Sequence, residues 1–324
     1  MIRLENISKS FRVAKRQAGF GRAMKALVSR EHEVVRALRE VSFAIGDGEM
    51  VGYIGPNGAG KSTTIKIMCG VLTPDSGTCD IDGRTPWKER TAHVRDIGVV
   101  FGQRSQLWWD VPVINSFELI RDIYKVDKAL YKRNLDELTA LLDLNEILKT
   151  PARSLSLGQR MRCEIAASLL HSPKTLFLDE PTIGLDAVSK IAVRQFIKRL
   201  NAERGTTVIL TTHDMQDIEA LTERILLIGK GQILLDGSLE ELKKRSSERK
   251  TLVVEYSGPS PEISEGMSLS EAKEGRLVVV LDPSVLPVSQ AIAQFAAQTE
   301  LLDVSVSGIS AEEMVAALYQ EYRI

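Results

Sequence analysis

Nine consecutive residues, Gly55-Pro56-Asn57-Gly58-Ala59-Gly60-Lys61-Ser62-Thr63, have the composition and spacing to wrap a chain of phosphates. They fit G-x-x-x-x-G-K-[ST], and they follow an apolar run at 50–54 and precede a helical stretch. Gly55, Gly58 and Gly60 let the backbone turn tightly and aim its N–H groups at an anion. A helix starting at the loop adds roughly half a positive charge there. Lys61 has the length to reach a β- or γ-phosphate, and the Ser62 hydroxyl is a hard oxygen donor suited to Mg²⁺. A second cluster, Asp179-Glu180, closes the apolar run 175–178. Two adjacent carboxylates after a buried strand are costly unless they serve a cation or a water. The natural division gives Asp179 to the shell of the metal and Glu180 to the orientation and deprotonation of an attacking water. The chemistry implied is hydrolysis of a nucleotide phosphate.

Such residues need a parallel sheet to converge, and the pattern supplies one. Up to about residue 240, β-branched apolar runs at 50–54, 97–101, 175–178, 207–211, 224–228 and 232–235 alternate with helical stretches, the mark of an α/β domain. Between Pro112 and Pro173 the pattern is helical, with Leu135, Leu138, Leu142 and Ile147 spaced as one buried stripe. This predicts a helical insertion at about 104–172. A charged run at 239–250 leads into a tail, 241–324, that reads as a small α+β domain. Its expected elements are strands at 251–256, 276–281 and 301–307 and helices at 288–298 and 311–322, the last opened by the capping pair Ser310 and Glu313.

Composition narrows the class without naming the chemistry. In 324 residues there are 42 Lys and Arg against 43 Asp and Glu, with 44% hydrophobic residues. That length suggests two domains. No apolar run is long enough to span a bilayer, and the first residues lack the apolar core of a secretory signal, so the expectation is a cytosolic chain. Near-zero net charge excludes a globally basic nucleic-acid binder. Cys69, Cys79 and Cys163 have no metal-binding spacing and read as ordinary reduced residues.

Leu155-Ser156-Leu157-Gly158-Gln159 stands just before Arg160 and a helical stretch, upstream of Asp179. A Ser hydroxyl, a Gly N–H and a helix N-terminus together form an anion site. With this element the chain resembles the ATP-binding cassette (ABC) ATPases over roughly 1–240. The pentapeptide is similar to the family's signature motif, with Leu157 where Gly is usual. The resemblance implies a P-loop NTPase fold: a RecA-like α/β core with an antiparallel β part and a helical insertion. It also implies ATP and Mg²⁺ as ligands and a head-to-tail homodimer, in which Ser156, Gly158 and Gln159 complete the pocket of the opposite subunit. Gln103 falls where the family's glutamine loop lies and would ligate Mg²⁺, although Gly102 looks inserted there. Asp186, in Ile183-Gly184-Leu185-Asp186, resembles the D-loop that crosses the dimer interface. His213, in Thr211-Thr212-His213-Asp214, resembles the switch histidine, whereas His32, His93 and His171 read as structural. Phe11, in Ser8-Lys9-Ser10-Phe11, resembles the aromatic that stacks on adenine; edge-strand core is its other reading. Lys61, Glu180 and His213 are thus the expected catalytic residues.

Cassettes of this family mostly power transporters, and others serve DNA repair, chromosome organisation or ribosomes. Lys61 and Asp179 are too close in sequence for the long insertions of the DNA proteins, and one cassette is present rather than two. The expectation is a transporter ATPase subunit peripheral to the cytoplasmic membrane face, the alternative a soluble non-transport ATPase acting on ribosome or DNA. Leu107-Trp108-Trp109-Asp110-Val111-Pro112 is either core or a docking site for separate permease subunits. The run from Gln103 to Asp110, the long N-terminal arm and the tail look similar to the drug-resistance and sodium-export branch, which implies export through a drug-exporter type of permease. Residues 12–39 carry Arg12, Lys15, Arg16, Arg22, Lys25, Arg30, Arg36 and Arg39, with Phe20, Met24, Leu27 and Val28 at helical spacing. This arm would touch anionic lipid or permease, or pack on its own sheet.

Overall fold

The computed structural model describes residues 1–14, 32–102, 104–212, 214–241, 250–308 and 319. Gln103, His213, the amphipathic stretch at 20–28, the basic run at 243–249 and, Tyr319 apart, the helix expected at 311–322 lie outside the described residues. The chain divides into two compact units, Met1–Asp236 and Gly237–Ile324.

The first unit holds two sheets. Strands β1 (Ile2–Ala14), β2 (His32–Ile45) and β4 (Ser76–Ile81) form an antiparallel sheet in the order β2-β1-β4. Strands β3 (Met50–Ile54), β5 (Ile97–Phe101), β6 (Thr175–Asp179), β7 (Thr207–Thr211), β8 (Arg224–Gly229) and β9 (Gln232–Ser238) form the second, ordered β5-β6-β7-β3-β8-β9. Pairing is parallel from β5 through β8. Buried on both faces, these strands read as continuous apolar runs, which is why the sequence located them to within a residue at most ends. Helix α1 (Lys61–Met68) follows β3, and its Ile65, Ile67 and Met68 share one core with Ile2 and Leu4 of β1 and Phe177 and Ile209 of the parallel sheet. The short helix α2 (Arg90–Asp96) leads into β5.

The helical part comprises α3 (Val113–Tyr124), α4 (Lys128–Leu141) and α5 (Leu157–Leu169). Asp127 caps α4 by accepting from the Ala129 and Leu130 amides at 2.9 and 3.1 Å. Of the expected stripe, Leu138, Leu142 and Ile147 are buried, and the helix ends at Leu141, so the stripe continues onto the following loop. Helices α6 (Ala187–Arg204) and α7 (Met215–Leu221) flank β7 in the chain. The three cysteines are free and buried, and burial pushes the Cys79 and Cys163 thiols up to about 12.

Both described ends of the basic arm are strand, and the helix expected over 20–28 lies outside the described residues. Residues 12–14 and 32–39 belong to the β1–β2 ladder, where Arg12 faces Val34 and Phe11 faces Val35.

The second unit is a four-stranded antiparallel sheet, β11-β12-β10-β13, built from β10 (Lys250–Ser257), β11 (Met267–Lys273), β12 (Arg276–Leu281) and β13 (Glu300–Gly308). Helix α8 (Val288–Gln298) places Ala291 and Phe295 against Leu252, Val254, Val279 and Leu281. Strand β11 was not expected, because nearly all of its residues are exposed and its apolar alternation stops after Met267 and Leu269.

Candidate active site

The phosphate loop leaves the carboxyl end of β3 and turns into α1 at Gly60, whose φ of 116° no side-chained residue adopts readily. A Cβ there would lie 2.8 Å from the Ala37 carbonyl oxygen and 2.7 Å from Leu38 Cδ2, so β2 packs directly on the loop. The Gly231 amide donates to the Ala59 carbonyl at 2.9 Å and closes the other side. Thr64 locks the first helical turn by donating to the Gly60 carbonyl at 3.1 Å, within 3.0 Å of the buried Tyr53 hydroxyl. Lys61 is buried and folds back, its Nζ donating to the Gly55 and Pro56 carbonyls at 2.6 and 3.2 Å. Burial lowers the Lys61 pKa, while Glu180 and Asp179 oppose that shift.

Strand β6 delivers the carboxylates to the same place. Asp179 Oδ2 lies 3.5 Å from the Ser62 hydroxyl, and Asp179 Oδ1 accepts from Thr211 Oγ1 at 2.5 Å across the β6–β7 ladder. Thr211 was not singled out in the sequence; the in-register pairing of Asp179 with Thr211 is the only signal, and it exists only once the strands are aligned. Glu180, next in the chain, has a φ of 57°, a left-handed conformation sparsely used by side-chained residues. Its amide donates to the Thr211 carbonyl at 2.9 Å, and the Ile183 amide donates to its carbonyl at 3.3 Å. The site therefore gathers cationic Lys61, the α1 N-terminus, the Ser62 hydroxyl and two carboxylates at the carboxyl ends of β3 and β6, where open α/β sheets bind ligands.

Ser62 and Asp179 are both hard oxygen donors and fit Mg²⁺. Among the described residues no group of three or more His, Cys, Asp or Glu forms a metal cage. Mg²⁺ is commonly held by one or two protein ligands, with phosphates and water completing its shell.

The signature segment lies elsewhere. Ser156 caps α5, accepting from the Gln159 amide at 3.2 Å, while Gln159 Oε1 accepts from the Ser156 amide at 2.9 Å. A Cβ at Gly158 would sit 2.6 Å from Ser189 Oγ, so α5 begins against the start of α6. Asp186 caps α6 by accepting from the Ser189 amide and hydroxyl at 2.9 and 2.8 Å, hydrogen bonds that lower its pKa. Among the described residues no hydrogen bond joins 156–159 or Asp186 to the loop 55–63 of the same chain. Phe11 is half-buried on β1, with Lys9 Nζ 5.8 Å from its ring centre, and it pairs with Val35, two residues before the Ala37 that packs on Gly60.

Beyond the nucleotide residues, Trp108 and Trp109 are 59% and 51% exposed. Their backbone is pinned: the Trp108 amide donates to Ser116 Oγ at 3.0 Å, and the Trp109 carbonyl accepts from the Arg153 amide at 3.0 Å. The preceding turn is held by buried Glu164 of α5, which accepts from the Ser105 hydroxyl and from the Gln106 amide at 3.0 Å. Arg160 sits 5.7 Å over the Trp109 ring.

A family model described as ABC transporter matches residues 38–183. The ABC transporter ATP-binding protein NatA of Bacillus subtilis (strain 168) is 31% identical over 65% of this chain and 85% of its own. The linearmycin resistance ATP-binding protein LnrL of the same organism is 34% identical over 64% of this chain and 66% of its own. Among solved structures, the ATP-binding cassette MJ0796, a dimer in a post-hydrolysis state bound to ADP and Pi, superposes with a TM-score of 0.62. It is 27% identical, and the match covers 74% of this chain and 99% of that one.

Proposed function

Because the chain belongs to the family of ABC transporter ATP-binding proteins, we propose that it is the ATP-hydrolysing motor of an exporter, working as a homodimer on separate permease subunits. The cassette is an ATPase. The observation that carries the residue assignment is the meeting of Lys61 and Ser62 with Asp179 and Glu180 at the carboxyl ends of β3 and β6, the two strands on either side of β7, with the Ser156 cap turned to a different neighbour.

In this reading the amides of Gly55, Pro56, Asn57, Gly58, Ala59 and Gly60 line the triphosphate as far as Pro56, which lacks an N–H, allows. Lys61 exchanges two backbone carbonyls for phosphate oxygens, and Thr63 extends the first turn of the cradle. Ser62 and Asp179, with Gln103 from the family resemblance, would hold Mg²⁺, which would neutralise charge developing on the phosphates. Thr211 keeps Asp179 in place by its hydrogen bond. Glu180 orients and deprotonates the attacking water, aided by His213, and Phe11 stacks on adenine. A second copy presents its 156–159 cap (Ser156, Gly158, Gln159) to the γ-phosphate and its Asp186 loop to the interface. The dimeric state of MJ0796 supports that assembly.

The pinned and exposed Trp108 and Trp109 are the docking surface for the permease, and the drug-resistance name of LnrL supports an exporter of that type. No helix among the described residues is long and apolar enough to cross a membrane, in keeping with a motor held at the cytoplasmic face through its permease. The cassette of about 1–240 supplies hydrolysis, and the tail, 241–324, is an accessory domain that steadies or regulates the dimer. Transport is favoured over action on ribosomes or DNA by the matching family model, described as ABC transporter, and by the transporter name of NatA. Glu180→Gln should bind ATP, lower turnover by about 10²- to 10⁴-fold and accumulate an ATP-stabilised dimer, read by light scattering. Near-normal hydrolysis by that variant removes Glu180 as the base.

A further inference from the structure

Asp217, in the first turn of α7, is fully buried, and its side chain draws in three separate segments. Its Oδ2 accepts from the Thr182 hydroxyl and, at 3.1 Å, from the Thr212 hydroxyl; its Oδ1 accepts from Arg194 Nε at 2.5 Å. Arg194, in the middle of α6, also reaches Asp214 Oδ2 with Nη2 at 3.5 Å, the same oxygen that takes Lys190 Nζ at 2.5 Å. The Asp214 amide donates back to Thr212 Oγ1 at 3.0 Å.

Each of these segments leads to the reacting end of the site. Thr182 is two residues beyond Glu180, inside the turn that the Ile183 amide closes onto the Glu180 carbonyl, and Glu180 begins that turn at a positive φ. Thr212 directly follows Thr211, the hydroxyl donor to Asp179. Thr212 and Asp214 flank His213 in the chain. Arg194 ties both to the helix that begins at Asp186. A buried ion pair gives little net stability over apolar packing, because desolvation offsets most of the attraction. What it does well is fix one arrangement. A backbone held in a sparsely populated conformation beside reacting groups needs surroundings that over-determine it.

We propose that Arg194 and Asp217 are positioning residues for hydrolysis, a carboxylate–guanidinium lock that holds the Glu180 turn, the end of β7 and α6 in the geometry that delivers water to the γ-phosphate. The lock rests on the ATPase reading above and extends it to residues that touch neither nucleotide nor metal. It stabilises the transition state without adding to ATP affinity, since none of its members belongs to the phosphate loop. Lysine in place of Arg194 keeps the charge but cannot span Asp217 and Asp214 together.

The test compares Arg194→Lys, Thr182→Val and the charge-neutral pair Arg194→Met with Asp217→Asn against wild type, in steady-state hydrolysis and in thermal melting. Thr182→Val removes one hydroxyl while the carboxylate keeps Arg194 and Thr212, so it remains folded even where the larger changes do not. A misplacement of the water by a fraction of an ångström predicts a kcat lowered by about 10-fold or more. KM for ATP stays within about 2-fold, the mark of an interaction made only in the transition state. Arg194→Lys should recover part of the loss seen in the double variant. Unchanged kcat in the folded variants, or a KM that rises in step with the loss, overturns the proposal. A wild-type protein without ATPase activity, or a Glu180→Gln variant with normal turnover, overturns the underlying reading instead, and those two controls separate the failures.

Discussion

Lys61 spends its charge on two carbonyls of its own loop, so nucleotide binding is an exchange of partners rather than the filling of an empty cradle. The loop's glycines differ sharply in what they permit. A Cβ at Gly58 meets nothing within 4 Å, whereas one at Gly60 meets Ala37 and Leu38 at under 3 Å. Gly58→Ala should therefore cost only about 1–2 kcal/mol of backbone strain, and Gly60→Ala about 2–4 kcal/mol together with loss of ATP binding. Urea unfolding and nucleotide titration of the two variants check the contrast. Asp214 makes a pH prediction. Burial alone would raise its pKa, but the Lys190 ammonium and the Gln216 amide outweigh that and hold it below the ordinary 3.8. A lowered carboxylate stabilises the fold above its unfolded value and loses that contribution as pH falls through the folded one. The gap in melting temperature between wild type and Asp214→Asn should be full near pH 7 and close below about pH 4; a gap independent of pH refutes it. At this scale the phosphate loop and the Asp179-Glu180 pair were legible, because each is a run of neighbours in the chain. Thr211, Thr182, Arg194 and Asp217 were not, since their partners are brought together only by strand pairing and helix packing.

Elements were legible where burial is two-sided or capping is local. The buried parallel strands declare themselves as apolar runs, and Ser156 with Gln159 forms both halves of a capping box written into four residues. Ser156→Ala should destabilise the cassette by about 1 kcal/mol through α5 alone. In the dimer reading it should also weaken ATP-dependent association, so denaturant melts and light scattering together separate the two roles. Strand β11 escaped notice for the opposite reason, since its residues are nearly all exposed and hydrogen bonding to β12 makes it a strand; β2 was legible only in part, where Val41, Phe43 and Ile45 alternate into the core. The segment bearing Trp108 and Trp109 owes its shape to Glu164, Ser116 and Arg153, none of which is aromatic or adjacent. Replacing both tryptophans with alanine should leave the ATPase activity of the isolated protein unchanged and abolish its recovery with membranes that contain the permease. Retained membrane recovery would move the docking surface elsewhere.

Taken whole, the molecule is two units with separate cores, one drawn from β1, α1 and the parallel sheet, the other from β10, β12 and α8. Ligand binding stabilises only what it touches. ATP at 100 times its Kd should raise the stability of the first unit by about 2.7 kcal/mol and leave the second unchanged. Calorimetry should resolve two transitions, of which one shifts with nucleotide; a single transition that moves as a whole would show the units to be one cooperative block. The pairing of β6 with its neighbours sets a limit of another kind. Phe101, Asp179 and Thr211 stand in one row, and the five rows from Thr175 to Asp179 run without a bulge. Inside those strands the alphabet is negotiable, but the count of residues is not. Exchanging one aliphatic for another leaves every row aligned, while a single inserted or deleted residue would turn Asp179 to the opposite face of the sheet. Libraries of random substitutions should find many working versions of this sheet, and libraries of random indels should find none there.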